Sequence, residues 1–219
     1  PFLDLLMEYT GTVRGEEREK LRRMARPHLE PAAKRLFTLL PEQRARSVLI
    51  LGTLGLAEHE TEIVRRLGDP DENVAFVAAR VLADEGGARF AGAILDHLPR
   101  FDDWSARYLA EMIASMGAEA VPAVRDVYED PEAPSRVRTI AAEALRQMEF
   151  PSVADAAHRI LERSAEDIPS EGADRELVIA SLRVLVDRGR PEHAPLVREL
   201  SEHPDPIVRA VAMSARGAL

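Results

Sequence analysis

Leu67-Gly68-Asp69-Pro70-Asp71-Glu72-Asn73-Val74-Ala75-Phe76-Val77-Ala78-Ala79-Arg80-Val81-Leu82 holds a chain reversal followed by a helix. Pro70 cannot continue a helix interior, and it biases Asp69 away from helical angles. From Val74, small or apolar residues fall at Ala78-Ala79 and Leu82, on one helical face.

The same frame recurs along the chain. Gln43, Val74, Ala106, Val137, Leu177 and Val208 occupy one position, at steps of 31, 32, 31, 40 and 31. Ser47-Val48, Ala110-Glu111, Ala141-Ala142, Ser181-Leu182 and Ala212-Met213 match Ala78-Ala79, and Leu51, Ala114, Leu145, Leu185 and Arg216 match Leu82. Gly55, Gly86 and Gly117 lie 31 residues apart, with Glu149 32 further on and Gly189 40 beyond that. Each closes a helical run, and the glycines are expected to be left-handed C-caps. A preceding helix ends at Asp69-Pro70-Asp71, Asp130-Pro131-Glu132 and Pro204-Asp205-Pro206. A period near 31 that ends helices predicts a solenoid of helix pairs.

Six pairs are predicted, at 28–39 and 42–54, 58–68 and 72–85, 88–98 and 103–116, 119–129 and 135–148, 152–164 and 174–188, and 192–202 and 206–218. Phe2 to Tyr9 and Glu16 to Arg26 precede them as an N-terminal capping segment over 1–27. The long fifth step places a polar surface loop at Ser164 to Asp174. The expected organisation is all-α, one domain over 1–219, with essentially no sheet.

The segments from Leu67 to Leu82, Pro131 to Leu145 and Pro204 to Ala212 resemble HEAT repeats. The early Pro122 and Pro195 are similar to the short bacterial type named after the phycobiliprotein lyases. This resemblance implies a right-handed α-α superhelix. It also implies a non-enzymatic scaffold that holds a protein or peptide partner on its surface. Two alternatives use the same architecture. One is a nucleic-acid enzyme resembling the HEAT-like DNA glycosylases, of whose aromatic and acidic set Trp104, Tyr108 and Glu111 are a weak echo. The other is a chaperone resembling the phycobilin lyases.

One position after the reference stand Arg44, Ala75, Arg107, Arg138, Val178 and Arg209. Repeat-equivalent positions form a stripe, so Arg44, Arg107, Arg138 and Arg209 are candidate ligands for an acidic peptide or another anion. The resemblance gives them a second role, pairing with turn aspartates, with Asp69, Asp103, Asp130 and Asp205 as candidates. Phe76, Trp104 and Tyr108 are candidate aromatic anchors for a partner, centred on repeats two to four.

The chain has a net charge of −9, which opposes a nucleic-acid backbone. It has no cysteine, which removes disulfides and thiolate chemistry. No apolar run is long enough to span a bilayer. The six histidines are dispersed in sequence, and no metal, cofactor or catalytic residue is assigned. Acid pairs at Asp102-Asp103, Glu129-Asp130 and Glu166-Asp167 are read as helix-start caps. The last predicted helix has no polar cap after it, which leaves self-association open. A cytoplasmic location is slightly favoured, with an anchor or signal upstream of Pro1 left open.

Overall fold

The computed structural model describes residues 2–148, 150, 152–164 and 172–218. They are helices, short 3₁₀ turns and connections, with no strand among the described residues. The chain divides into two compact units, 1–101 and 102–219.

In the first unit, α1 (Phe2–Thr12) and α2 (Gly15–Ala25) pack against α4 (Pro41–Arg65), as does α3 (Glu30–Arg35). Glu85, just after α5 (Glu72–Val81), receives the guanidinium groups of Arg18 and Arg22, and Arg22 Nε also donates to Thr53 O. Burial nonetheless raises the Glu85 pKa above the ordinary glutamate value. α6 (Ala91–His97) follows, and Phe101 closes the unit with its ring edge-on to Phe76 at 5.8 Å.

α4 crosses the boundary expected between the first two repeats. Gly55 breaks it with φ −153° and ψ 36°, and the hydrogen-bonded run resumes beyond that kink. The left-handed expectation therefore fails at Gly55. It fails equally at Gly86 (φ −104°) and Gly189 (φ −63°), and holds at Gly117 (φ 83°). The missing side chain has another cause at three sites. A Cβ would strike Val81 Cγ1 at Gly52, Leu29 Cδ1 at Gly55, and the Phe90 ring at Gly86. Close approach of neighbouring elements excludes a side chain there. Glu149 and residues 165–171, which include the Glu166-Asp167 pair and most of the expected polar loop, lie outside the described residues.

The second unit contains α7 (Ala106–Ala114), α8 (Val121–Glu129), α9 (Ser135–Gln147), α10 (Val153–Ser164), α11 (Ala173–Arg188), α12 (Ala194–Leu200) and α13 (Pro206–Ala218). α8 packs on α9, α10 on α11 and α12 on α13, while α7, α9, α11 and α13 are successive neighbours. Ala141, Ala142, Ala144 and Leu145 of α9 are fully buried, and the small side chains allow α9 to lie between α7 and α11. The deepest polar link is Tyr128 on α8, whose hydroxyl meets Ser181 Oγ on α11 at 2.8 Å. Burial of the phenol raises its pKa despite that bond.

Turn aspartates start the helices. Asp71 Oδ1 accepts from Val74 N–H, and Asp205 Oδ1 accepts from Ile207 and Val208 N–H. The Asp205 carboxyl is held down at about 2 by the Arg175 hydrogen bond first, then by these N–H groups.

Candidate functional site

The arginine stripe divides by environment. Arg44 is buried and forms a bidentate pair with Asp69, Nε to Oδ2 at 3.0 Å and NH2 to Oδ1 at 2.7 Å. Its NH1 also donates to the carbonyls of Thr38 and Leu39. Burial pushes the Asp69 carboxyl up, but Arg44, the Asp71 N–H and Arg66 together hold it below the usual range. Arg138 donates to Tyr128 O, in the last turn of α8, and burial lowers its pKa from the ordinary arginine value. Arg209 donates to His203 O and Pro204 O. Arg138 thus reaches back to a carbonyl in the last turn of the preceding helix, where a cation satisfies an orphan acceptor and suits the dipole, whereas Arg44 and Arg209 bond carbonyls of the turn just before their own helix. Arg107 differs: it is 85 % exposed and pairs with Glu111 along α7 at 3.0 Å.

Two of the expected aspartate partners are engaged, with different outcomes. Asp69 takes the stripe arginine Arg44, although it lies in the turn that follows Arg44 and not the one before it. Asp205 takes Arg175, two residues before the stripe's reference position, in a bidentate pair at 2.9 and 3.1 Å. Asp130 accepts from the Glu132 N–H. Asp102, which is largely exposed, lies 3.4 Å from Arg136 in an ion pair.

The aromatic candidates also separate. Phe76 is buried against Phe101, so its ring is unavailable to a partner. Its place beside the stripe cannot distinguish the inner from the outer flank of a helix. Trp104 and Tyr108 stack at 6.0 Å with an interplanar angle of 17°, and Tyr108 is exposed.

Residues of α7, α9 and α11 line a groove of about 690 Å³. Ala106, Thr139 and Ala180 give it a floor of small side chains, and long charged side chains stand at its edges. Thr139 is nearly buried and turns its hydroxyl to Ser135 O, which hides the polar group. Glu143 sits between Arg146 (3.0 Å) and Arg183 (3.3 Å), and Arg146 also reaches Asp187 at 2.6 Å. Arg107, Arg146 and Arg183 face Glu111, Glu143 and Glu176, so the lining is charge-balanced. Arg146 and Arg183 escaped the sequence reading because they lie off the repeat-equivalent stripe.

A second cluster joins residues far apart in sequence. The rings of His158 and His193 lie 5.1 Å apart. Asp155, Glu192 and His193 bring one oxygen or nitrogen each within 4.8 Å of one another, a metal-like spacing. The donor chemistry does not fit a metal. His193 Nδ1 accepts the Arg190 backbone N–H at 3.0 Å, so the tautomer assigned from this bond carries its proton on Nε2. That nitrogen faces Asp155 Oδ1 at 3.5 Å, and the Arg190 guanidinium bonds the same oxygen. Both ring nitrogens and the carboxylate are already committed. Burial and the neighbouring His158 lower the His193 pKa.

No family model, curated protein or solved structure matches the chain. Among the described residues, no helix is long and apolar enough to cross a membrane.

Proposed function

We propose that this chain is a HEAT-like repeat protein of six helix pairs and acts as a non-enzymatic scaffold. In this reading it holds a protein or peptide partner in the α7/α9/α11 groove. The floor of Ala106, Thr139 and Ala180 carries the reading, because small side chains let a partner's backbone or side chains come close to the helices. The edges support it in a second way. Exposed ion pairs such as Arg107 with Glu111 are worth about 0–1 kcal/mol, so exchanging them for pairs with a partner costs little. Balanced edges together with a net charge of −9 favour a protein over a nucleic-acid backbone. Trp104 and Tyr108, stacked on each other at the start of α7 and outside the groove lining, are the aromatic anchors this reading assigns to the partner.

Selection of a displayed random-peptide library on the immobilised chain tests this. The Arg107→Glu/Arg183→Glu variant serves as the comparison, since both side chains are exposed enough to change without unfolding. Peptides that bind the wild type and lose at least tenfold in affinity on the variant are expected. Binders indifferent to the variant, or displaced by duplex DNA at low salt, would overturn the assignment.

A further inference from the structure

His193 ends the Pro191–His193 turn that leads into α12, and it is 2 % exposed. Two bonds join it to Arg190. Its backbone N–H donates to Arg190 O at 2.9 Å, and its Nδ1 accepts the Arg190 N–H at 3.0 Å. An imidazolium carries a proton on both ring nitrogens and accepts nothing. Protonating His193 in place would set two donors against each other where a bond now closes the turn.

His158 on α10 adds a second obstacle. Its ring lies 5.1 Å from that of His193, so two imidazolium charges would meet across the contact between α10 and the turn. His158 Nε2 is 3.3 Å from Glu162, while its Nδ1 is buried with no hydrogen-bond partner among the described residues. The other charges around the pair largely cancel. Asp155 of α10 faces His193 Nε2 at 3.5 Å and favours a charged ring, but the Arg190 guanidinium bonds the same oxygen and opposes it. Arg190 also meets Glu192 at 3.1 Å. Arg159 turns to Glu129 of α8 at 3.0 Å, and Arg125 and Asp126 of α8 pair with each other. Arg188 ends α11, and Arg198 and Glu199 of α12 are exposed.

We infer that His158 and His193 form a pH-operated clasp: neutral rings hold the turn to α10, and acidification releases the turn and the start of α12 while the rest of the chain stays folded. The open form takes the proton first, so the clasp is complete above about pH 6.5 and weakens as pH falls below it. Amide hydrogen exchange at pH 7.5 and 5.5 tests this, with each rate divided by its intrinsic value at that pH. Protection over residues 190–200 is expected to fall about tenfold, the effect of one extra proton on the open form. Protection in α5 of the first unit is expected to stay unchanged. His193→Asn keeps an oxygen for the Arg190 N–H and does not titrate, so its protection should be the same at both pH values. Circular dichroism shows whether that variant keeps its helices. Ring-nitrogen chemical shifts of the wild type at pH 7.5 should show the proton of His193 on Nε2, a reading that needs no variant. Unchanged protection over 190–200 would overturn the inference. So would an equal loss in α5, which marks general unfolding, or a proton found on Nδ1. A folded His193→Asn variant that still loses protection in acid would place the sensor elsewhere and refute the clasp.

Discussion

Asp69→Asn removes one charge from the most enclosed ion pair of the first unit. The Asp69 side chain is 0 % exposed and that of Arg44 is 9 % exposed. Asp69 accepts both bonds of the Arg44 fork, a third from Arg66 at 3.1 Å and a fourth from the Asp71 N–H at 3.0 Å. Asparagine keeps the volume but accepts on one atom only, so it cannot meet the guanidinium fork. The buried Arg44 charge then keeps its bonds to the Thr38 and Leu39 carbonyls and at most one to the amide oxygen, with no opposite charge beside it. Breaking a buried pair from one side costs about 3–5 kcal/mol. The surviving carbonyl bonds place the expected loss near the lower end, about 3 kcal/mol. That corresponds to a fall of about 6–12 °C in melting temperature for a chain of this size. Urea denaturation followed by helical ellipticity measures it, with Arg44→Met and the double variant completing a cycle. The double variant should lose less than the two single losses added together, with a coupling of about 1–3 kcal/mol. Single losses below about 1 kcal/mol, or strict additivity, would show that the pair does not hold the turns together.

Further outcomes follow from other contacts. Gly52→Ala should destabilise by about 1–3 kcal/mol although alanine is the better helix former, because its methyl overlaps Val81; Val81→Ala should relieve the loss, as read by urea midpoints. Gly117→Ala should cost about 1 kcal/mol through its φ of 83°, whereas Gly92→Ala, in open space on α6, should be neutral or stabilising. The lowered pKa of buried His193 means that the unfolded chain binds its proton first as pH falls. Stability from this group is complete above about 6.5 and declines below it, by at most about 1.4 kcal/mol per pH unit. The urea midpoint of the wild type between pH 7.5 and 5.5 should therefore fall more steeply than that of His193→Asn.

Helix positions were legible because the spacing of small residues and the Asp-Pro turns act within one element. α8, α9, α12 and α13 begin and end close to the expected boundaries for that reason. The glycines were legible as positions but not as conformations. Gly55 is fixed by Leu29, distant in sequence, entering the space of a side chain, which leaves no local signal; at Gly86 it is the ring of nearby Phe90 that does so. Each stripe arginine stands in the first turn of its helix, yet that position does not reveal whether a guanidinium turns to a carbonyl, as in Arg138, or to solvent, as in Arg107. The groove needed three helices side by side. Its edge residues Arg146 and Arg183, and the His158–His193 contact, depend on packing between segments about 35 residues apart.

The central claim is that one set of arginines binds a partner while another holds the fold. Titration of a groove-selected peptide against single alanine variants tests it most directly. Arg107→Ala and Arg183→Ala should weaken binding about tenfold or more with unchanged melting temperatures, a factor of ten being about 1.4 kcal/mol. Arg138→Ala and Arg209→Ala should lower the melting temperature and leave the affinity intact. The reverse pattern, with affinity lost at Arg138 and Arg209 and unchanged at Arg107 and Arg183, would contradict the account.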